Sequence, residues 1–350
     1  MDKKSLINYI EESFLKPLFE LDGITDISYN GRDIYYVTNK YGRSKSEIVL
    51  EQSDARDFIR QLANITEKQF SFLNPILDIN VGKYRINATH HSIGRVGLDE
   101  ALTFSIRIAS ITRKIKHDHS FIESKIEDFF DCLILNHISI VISGVPGVGK
   151  TEFQKYLISR MKDNERILVI DNTIELAYVD DTASLDMTFW QADERNKISS
   201  ISSLIKNGLR NNPDWMIISE ARGEDMNDVL NSAMTGIPII TTIHSFDAFS
   251  SINRMARMVM QGNQHIDYQD VVENIGYHFR VYVHLRKTID NKDHIKRYIS
   301  SIVVLDNDGK QSEIYKNDSL KTTFKALPKG FINLLSNKSI KLVEGFSNYE

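Results

Sequence analysis

Cysteine is almost missing from this chain: Cys132 is the single thiol in 350 residues. One thiol excludes an intrachain disulfide and any multi-cysteine zinc ribbon. Beside Phe129, Phe130 and Leu133 it reads as a small buried apolar residue. Long hydrophobic runs are missing too. No stretch of about eighteen uninterrupted apolar residues occurs, so no transmembrane segment is expected. Met1 to Phe14 carries acidic residues and no apolar run of the signal-peptide kind, so the chain is expected to be made and kept in the cytosol. Positive charge is not in excess. Lys and Arg number 43 against 47 Asp and Glu, a formal net charge of −4, and no long basic block appears. Direct DNA binding is therefore not expected. Internal repeats and low-complexity tracts are absent as well.

What is present concentrates in one loop. Gly144-Val145-Pro146-Gly147-Val148-Gly149-Lys150-Thr151 completes the pattern G-x-x-x-x-G-K-[ST]. It is fed by the apolar run Ile138-Ser139-Ile140-Val141-Ile142 and followed by a helix-compatible stretch, the context a phosphate loop requires. Gly144, Gly147 and Gly149 permit a tight turn, so successive N–H groups can converge on phosphate oxygens at a helix N-terminus. Lys150 adds positive charge toward the β- and γ-phosphates, and the Thr151 hydroxyl can ligate Mg²⁺.

Length and pattern divide the chain in two. Residues 1–112 read as an N-terminal α+β domain. A short helix comes first. Ile24 to Tyr29 and Ile34 to Val37 then form strands around Asn30-Gly31, Ala55 to Leu62 a helix, and Tyr84 to Ala88 and Leu102 to Ile108 further strands. Residues 113–120, opening on Arg113-Lys114-Ile115-Lys116, are charged and aperiodic and read as an interdomain linker, with a membrane-touching basic patch as the alternative. Residues 121–350 read as an α/β nucleotide-binding domain. Ile138 to Ile142, Ile167 to Ile170, Trp215 to Ile218 and Ile237 to Ile243 are short apolar runs of the kind buried parallel strands show. Arg280 to Leu285 and Ile299 to Leu305 look like more strands, with a turn at Asp306-Asn307-Asp308-Gly309. The tail beyond Leu320 carries a helical patch around Phe331 to Leu335 and then turns polar.

Binding phosphate hydrolyses nothing, so carboxylates at neighbouring strand ends matter, since a parallel sheet places its site there. Glu220 follows the apolar strand Met216-Ile217-Ile218 and Ser219, where a carboxylate can orient a water and influence Mg²⁺ through it. Glu175 lies just past another strand, in Ile170-Asp171-Asn172-Thr173-Ile174-Glu175-Leu176. His244, in Thr241-Thr242-Ile243-His244-Ser245, can donate to the γ-phosphate or report its loss. Taken singly, each is also explained as a solvated acid or a polar residue capping a strand.

Together these segments are similar to a known family. The phosphate loop, Asp171 to Leu176, Leu209-Arg210-Asn211-Asn212-Pro213-Asp214 leading into Ser219-Glu220-Ala221-Arg222-Gly223, then Thr235-Gly236 and Thr242-Ile243-His244-Ser245, resemble in order the Walker A, acidic, Walker B and histidine boxes of the secretion ATPases. Those are the motors of type II and type IV secretion, conjugation, and type IV or tight-adherence pili. The likeness extends weakly into the N-terminal domain, over Pro75 to Ala88 with Arg85 and Arg107, and fades after about residue 305. It implies a RecA-like P-loop NTPase domain of α/β class with a smaller α+β N-terminal domain. ATP is the implied nucleotide, with phosphate and Mg²⁺ held by Lys150 and Thr151. Glu220 would be the catalytic Walker B carboxylate, influencing the metal with Thr151. Glu175 would be its acidic-box helper and His244 the γ-phosphate sensor. Arg85, Arg95 and Arg107 are the candidate arginines that reach nucleotide, Arg107 first. The implied assembly is a homohexameric ring, cytoplasmic and peripherally associated with the inner membrane, docked on a platform of secretion-machine proteins.

Three departures from the family stand out. Ser219 replaces a usual glycine, Ile174 a frequent arginine and Asn172 a common acid, which leaves a slow ATPase or a non-hydrolysing nucleotide-dependent scaffold as the rival reading. A nucleic-acid-translocating ATPase shares a similar core and would need a basic track. Guanine specificity is disfavoured because Asn291-Lys292-Asp293-His294 is not the N-K-x-D reader and lies beyond the core. Without a zinc-cysteine insertion, the chain sits nearer the conjugation and tight-adherence branch than type II export.

Overall fold

The structure, a computed structural model, describes residues 3–346 apart from 111, 118, 120, 178–183, 194, 195, 264, 292 and 338. Asp118 and residue 120 of the expected linker, and Lys292 of the segment weighed as a guanine reader, lie outside the described residues. The chain forms two units. One comprises Met1–Ile111, Thr173–Glu175 and Ile289–Lys296; the other comprises Thr112–Asn172, Leu176–Thr288 and Arg297–Glu350.

In the first unit, helices α1 (Lys3–Glu11), α2 (Lys16–Phe19) and α3 (Gln52–Ile65) accompany a six-stranded sheet. Its strands are β1 (Ile24–Tyr29), β2 (Asp33–Thr38), β3 (Arg43–Val49), β4 (Ile76–Val81), β5 (Tyr84–Thr89) and, after a small ribbon of β6 (Arg95–Val96) and β7 (Asp99–Glu100), β8 (Thr103–Ile108). They run in the order β3-β2-β1-β8-β5-β4, each neighbouring pair antiparallel. Alternation decides which side chains go inward: Tyr84, Ile86 and Ala88 of β5 and Phe104 and Ile106 of β8 are buried in one core with Phe58, Ile59 and Leu62 of α3. The expected turn at Asn30-Gly31 joins β1 to β2. Asn30 Oδ1 accepts from the N–H groups of Arg32 and Asp33 at 2.9 and 2.8 Å, an Asx turn, and Gly31 supplies φ +95°. Strand β3, with the sequence Arg-Ser-Lys-Ser-Glu-Ile-Val, carries no hydrophobic alternation because it is an edge.

The second unit holds α4 (Ser124–Leu135), β9 (Ile140–Ser143), α5 (Lys150–Ile158), β10 (Arg166–Asp171), β11 (Asp186–Gln191), α6 (Ile201–Gly208), β12 (Trp215–Ile218), α7 (Asp225–Met234), β13 (Ile239–Ile243), α8 (Ser251–Gly262) and α9 (Tyr268–His278). Strands β14 (Val281–Ile289), β15 (Ile295–Leu305), β16 (Gln311–Asn317) and β17 (Thr322–Phe324) follow, then α10 (Lys329–Ile332). The sheet order is β11-β10-β12-β13-β9-β14-β15-β16-β17. The first six strands in that order pair in parallel, and β16 pairs antiparallel with β15 and with β17. Every residue of β9, β12 and β13 is buried, because helices cover both faces. Ile140, Ile142, Ile217 and Val283 join Phe130, Phe153 and Leu157 of α4 and α5 on one side. On the other, Val141, Met216, Ile218 and Tyr282 join residues of α6 to α9 such as Ile205, Val229, Met255 and Ile275. This is the α/β, RecA-like P-loop architecture with a smaller α+β unit that the motifs implied.

The linker segment is packed in part, and the tail differs from the sequence expectation. Within 113–120, Ile115 joins the core of the second unit, and Arg113 donates to Ser159 Oγ at 2.8 Å. The tail is more ordered than its polarity suggested: Phe331, Leu335, Val343 and Phe346 are buried against α4 residues including Phe129. Strands β11, β16 and β17 were also not anticipated, since all lie toward the sheet's ends where burial is partial. Among the described residues, no helix is long and apolar enough to cross a membrane.

Candidate active site

Strand β9 lies between β13 and β14, and the loop 144–149 leaves its carboxyl end and runs into α5. Three loop residues need conformations that side chains oppose: φ is +145° at Gly144, +76° at Gly147 and +96° at Gly149. A Cβ on Gly144 would stand 2.6 Å from the Leu285 carbonyl oxygen of β14 and 2.9 Å from Val148 Cγ2, so close packing as well as torsion demands glycine. Val148 is buried, Val145 is exposed, and Thr151 lies in the first turn of α5.

Lys150 turns back over this loop. Its Nζ donates to Gly144 O at 2.8 Å and to Val145 O at 3.4 Å, and lies 3.2 Å from His244 Nδ1. His244, one residue beyond β13, places Nε2 3.0 Å from Glu220 Oε1. Glu220 Oε2 in turn accepts from Arg222 at 2.7 Å. The hydrogen-bond arrangement that opposes no two donors has Nδ1 accepting from Lys150 and Nε2–H donating to Glu220. Gly144 O, 3.1 Å from Nδ1, then serves Lys150. The structure thus brings Lys150, His244 and Glu220, separated by up to 94 positions, into one hydrogen-bonded chain at the ends of β9, β12 and β13.

Burial pushes the Glu220 carboxyl up, but the Arg222 hydrogen bond and the positive charges of Arg222 and Lys150 outweigh it and hold the group below the usual carboxylate range. Glu220 is therefore ionised at neutral pH, an acceptor rather than a donor. The neighbouring backbone is fixed from both sides: Ser219 N donates to Ile170 O at 3.0 Å, Thr242 Oγ1 to Ser219 O at 2.7 Å, and Gln154 Nε2 of α5 to Ile218 O at 2.9 Å.

The donor set suits a phosphate-bound Mg²⁺. Thr151 offers a hydroxyl, Glu220 an anionic oxygen, and Ser219 Oγ is buried without a hydrogen-bond partner among the described residues. Hard oxygen donors beside a site that keeps room for water are what Mg²⁺ takes.

The remaining expected residues lie in the first unit. Arg107 Nε stands 3.2 Å from Glu175 Oε1, Arg85 3.7 Å from Asp78 and Arg95 3.5 Å from Glu100. Each arginine is thus paired with a carboxylate; Arg95 and Arg107 are exposed and Arg85 is half-buried. Of the unusual acidic box, Asp171 is buried and accepts from Leu176 N at 3.3 Å, closing the turn after β10.

Sequence reasoning missed five contributors. Arg222 sits two residues past Glu220, a spacing that places it on the same strand end and was there to be used. Ser143, just before the loop, meets the buried His284 of β14 at 2.9 Å; burial, Arg286 and Lys150 pull that imidazole down to about 4, against a smaller opposing effect of Asp247. Lys287 and Arg297 touch the loop from β14 and β15, and no motif signals residues so far along the chain.

Against this geometry, the type II/IV secretion system protein family matches residues 103–305, more than half of the chain. The chain belongs to that family. An uncharacterized protein of Bacillus anthracis is 30% identical over 301 residues, covering 82% of this chain and 66% of that protein. The type IV secretion system protein VirB11 of Bartonella quintana is 30% identical over 124 residues, 35% of each chain. The matched regions therefore span less than two thirds of these relatives' own lengths. In three dimensions the chain is similar to the Legionella pneumophila ATPase DotB, with a TM-score of 0.62 at 17% identity over 88% of this chain and 83% of that one. That likeness is one of fold. Family membership comes from the sequence match, whose range includes the loop and the histidine–carboxylate pair.

Proposed function

We propose that this protein hydrolyses ATP as the motor of a secretion, conjugation or type IV/tight-adherence pilus system. The observation that carries the reading is the chain Lys150–His244–Glu220 beside a glycine loop at the carboxyl ends of parallel strands. An incoming triphosphate offers Lys150 better acceptors than the Gly144 and Val145 carbonyls, so the ammonium moves from loop oxygens to phosphate oxygens. His244 loses its partner at Nδ1, which once it carries a proton donates to a γ-phosphate oxygen, while Nε2–H stays on Glu220 Oε1. A water in line with the γ-phosphorus is oriented by Glu220, whose low basicity suits positioning an attacking water through a hydrogen bond. Loop amides and Lys150 stabilise the charge that develops on the transferring phosphoryl group. Mg²⁺, held by Thr151 with Glu220 and Ser219 nearby, supplies further neutralisation of phosphate charge when bound.

The finer reading follows the family. Residues 1–112 act as an N-terminal domain, 113–120 as the connection and 121–350 as the ATPase domain with its C-terminal extension. Arg107, Arg85 and Arg95 reach nucleotide, and Glu175 assists Glu220. Six copies form a ring, cytoplasmic and docked on inner-membrane secretion proteins, and hydrolysis drives one domain against the other.

Phosphate release measured with malachite green, with and without DNA, tests the core of this. Wild type is expected to release phosphate equally in both conditions, and Glu220→Gln to bind ATP while losing about 10²–10⁴ in rate. Wild-type binding without turnover would replace the motor with a nucleotide-dependent scaffold. DNA-stimulated release would favour a translocase. Sedimentation with a non-hydrolysable analogue is expected to show hexamers, and monomers alone would refute the ring.

A further inference from the structure

The back of the phosphate loop is occupied by two cations that no motif names. Arg297 of β15 donates from Nε to Gly147 O at 2.9 Å, and Lys287 of β14 reaches Pro146 O at 3.5 Å. Both cations pack over the loop's glycines: a Cβ on Gly147 would lie 3.4 Å from Lys287 Nζ and one on Gly149 3.6 Å from Arg297 Cδ, ordinary contacts, so positive φ rather than space calls for glycine at both. In a trans peptide the N–H of one residue points opposite to the C=O of the residue before it. With Pro146 O and Gly147 O turned toward the cations, the Gly147 and Val148 N–H groups turn away from them. Those amides belong to the set that a phosphate loop aims at its anion.

We propose that Lys287 and Arg297 are positioning residues of the phosphate site, which hold the loop's apex carbonyls so that its amides face the anion and thereby favour a triphosphate over less charged nucleotides. The inference rests on the nucleotide-binding reading above. Two effects act in the same direction. A cation on a carbonyl polarises the peptide and strengthens its N–H as a donor, and the two positive charges themselves raise the potential behind the loop. Burial lowers the proton affinity of the Arg297 guanidinium, partly offset by Glu152, yet an arginine keeps its charge throughout the physiological range. Its charge is thus maintained in a half-buried place beside the loop.

Equilibrium titrations with fluorescent mant-ATP and mant-AMP test this without turnover. Arg297→Gln is expected to weaken mant-ATP about tenfold or more, the scale of a lost charge-assisted hydrogen bond, while changing mant-AMP by less than about threefold. Arg297→Lys is expected to recover part of the loss, because it restores the charge without the planar fork. The exposed Lys287→Gln is expected to show the same selectivity at about threefold, and it decides the matter if Arg297→Gln does not fold. Equal losses for both nucleotides, or none, overturn the inference and leave the nucleotide-binding reading intact. A wild-type chain that binds no mant-ATP overturns both.

Discussion

The two units use their polar residues in opposite ways. In the second, parallel strands end together, and the residues just past those ends converge: Gly144, Glu220 and His244 follow β9, β12 and β13, and their side chains or carbonyls meet within about one hydrogen bond of each other. In the first, an antiparallel sheet sends neighbouring strand ends in opposite directions, and the arginines of the sheet and of its small ribbon pair one by one with Asp78, Glu100 and Glu175. The lesson is that a parallel sheet focuses polar groups on one edge by topology, whereas an antiparallel one disperses them. Function is expected to be brittle in the second unit and tolerant in the first.

The contrast is broken most severely at Lys150. Lys150→Ala removes the cation that the chain of His244 and Glu220 begins from, and turnover is expected to fall about a thousandfold, near 4 kcal/mol of barrier. Phosphate release within tenfold of wild type would place the active centre elsewhere. Next comes pH. His284 is 3% exposed and its folded value of about 4 lies below its ordinary 6.5. The unfolded chain therefore takes up a proton that the folded one refuses. Stability from this group is fully present above pH 6.5 and is lost as pH falls toward 4, on the order of 3 kcal/mol in all. Both tryptophans, Trp190 and Trp215, belong to the second unit, so urea unfolding followed by their fluorescence reads it. His284→Asn should flatten the slope between pH 6.5 and 4; parallel slopes in the two proteins would remove His284 from this role.

A pair of glycines sharpens the comparison further. Gly144→Ala forces a Cβ against the Leu285 carbonyl, and about 3 kcal/mol of destabilisation is expected. Gly97→Ala, in the first unit at φ +61° with nothing within 4 Å of the new Cβ, should cost only about 1 kcal/mol. Similar losses at both sites would mean that torsion alone matters. The smallest expected effect on stability is Arg107→Ala. Its side chain is 58% exposed in the pair with Glu175, so the unfolding free energy should change by less than about 1 kcal/mol. Turnover should nonetheless drop at least about tenfold if the arginine serves the nucleotide. Full activity would leave Arg107 an ordinary surface partner.

Much of the second unit was legible because its strands are short, buried on both faces and uniformly apolar. Ile167 to Ile170 and Trp215 to Ile218 sit almost where β10 and β12 lie. Edge strands were not: β3 and β11 carry polar residues where only one side or one partner constrains them. The tail misled for a related reason, since Phe331, Val343 and Phe346 are spread among polar neighbours and find their common core only when packed on α4. Within the site, Glu220 and His244 were visible as polar residues directly after apolar runs, while His284, Lys287 and Arg297 lie within or beside strands whose pattern announces burial and nothing more.

Sequence alone determined the glycine loop, the order of its companion boxes and the parallel α/β class, because these depend on residue type at fixed spacing. Tertiary structure decided which nitrogen of His244 meets which neighbour, why Glu220 stays ionised, and that β14 and β15 bring two cations behind the loop. Those depend on distances between strands that are remote in the chain, and such distances are set by sheet order and packing rather than by any local run of residues.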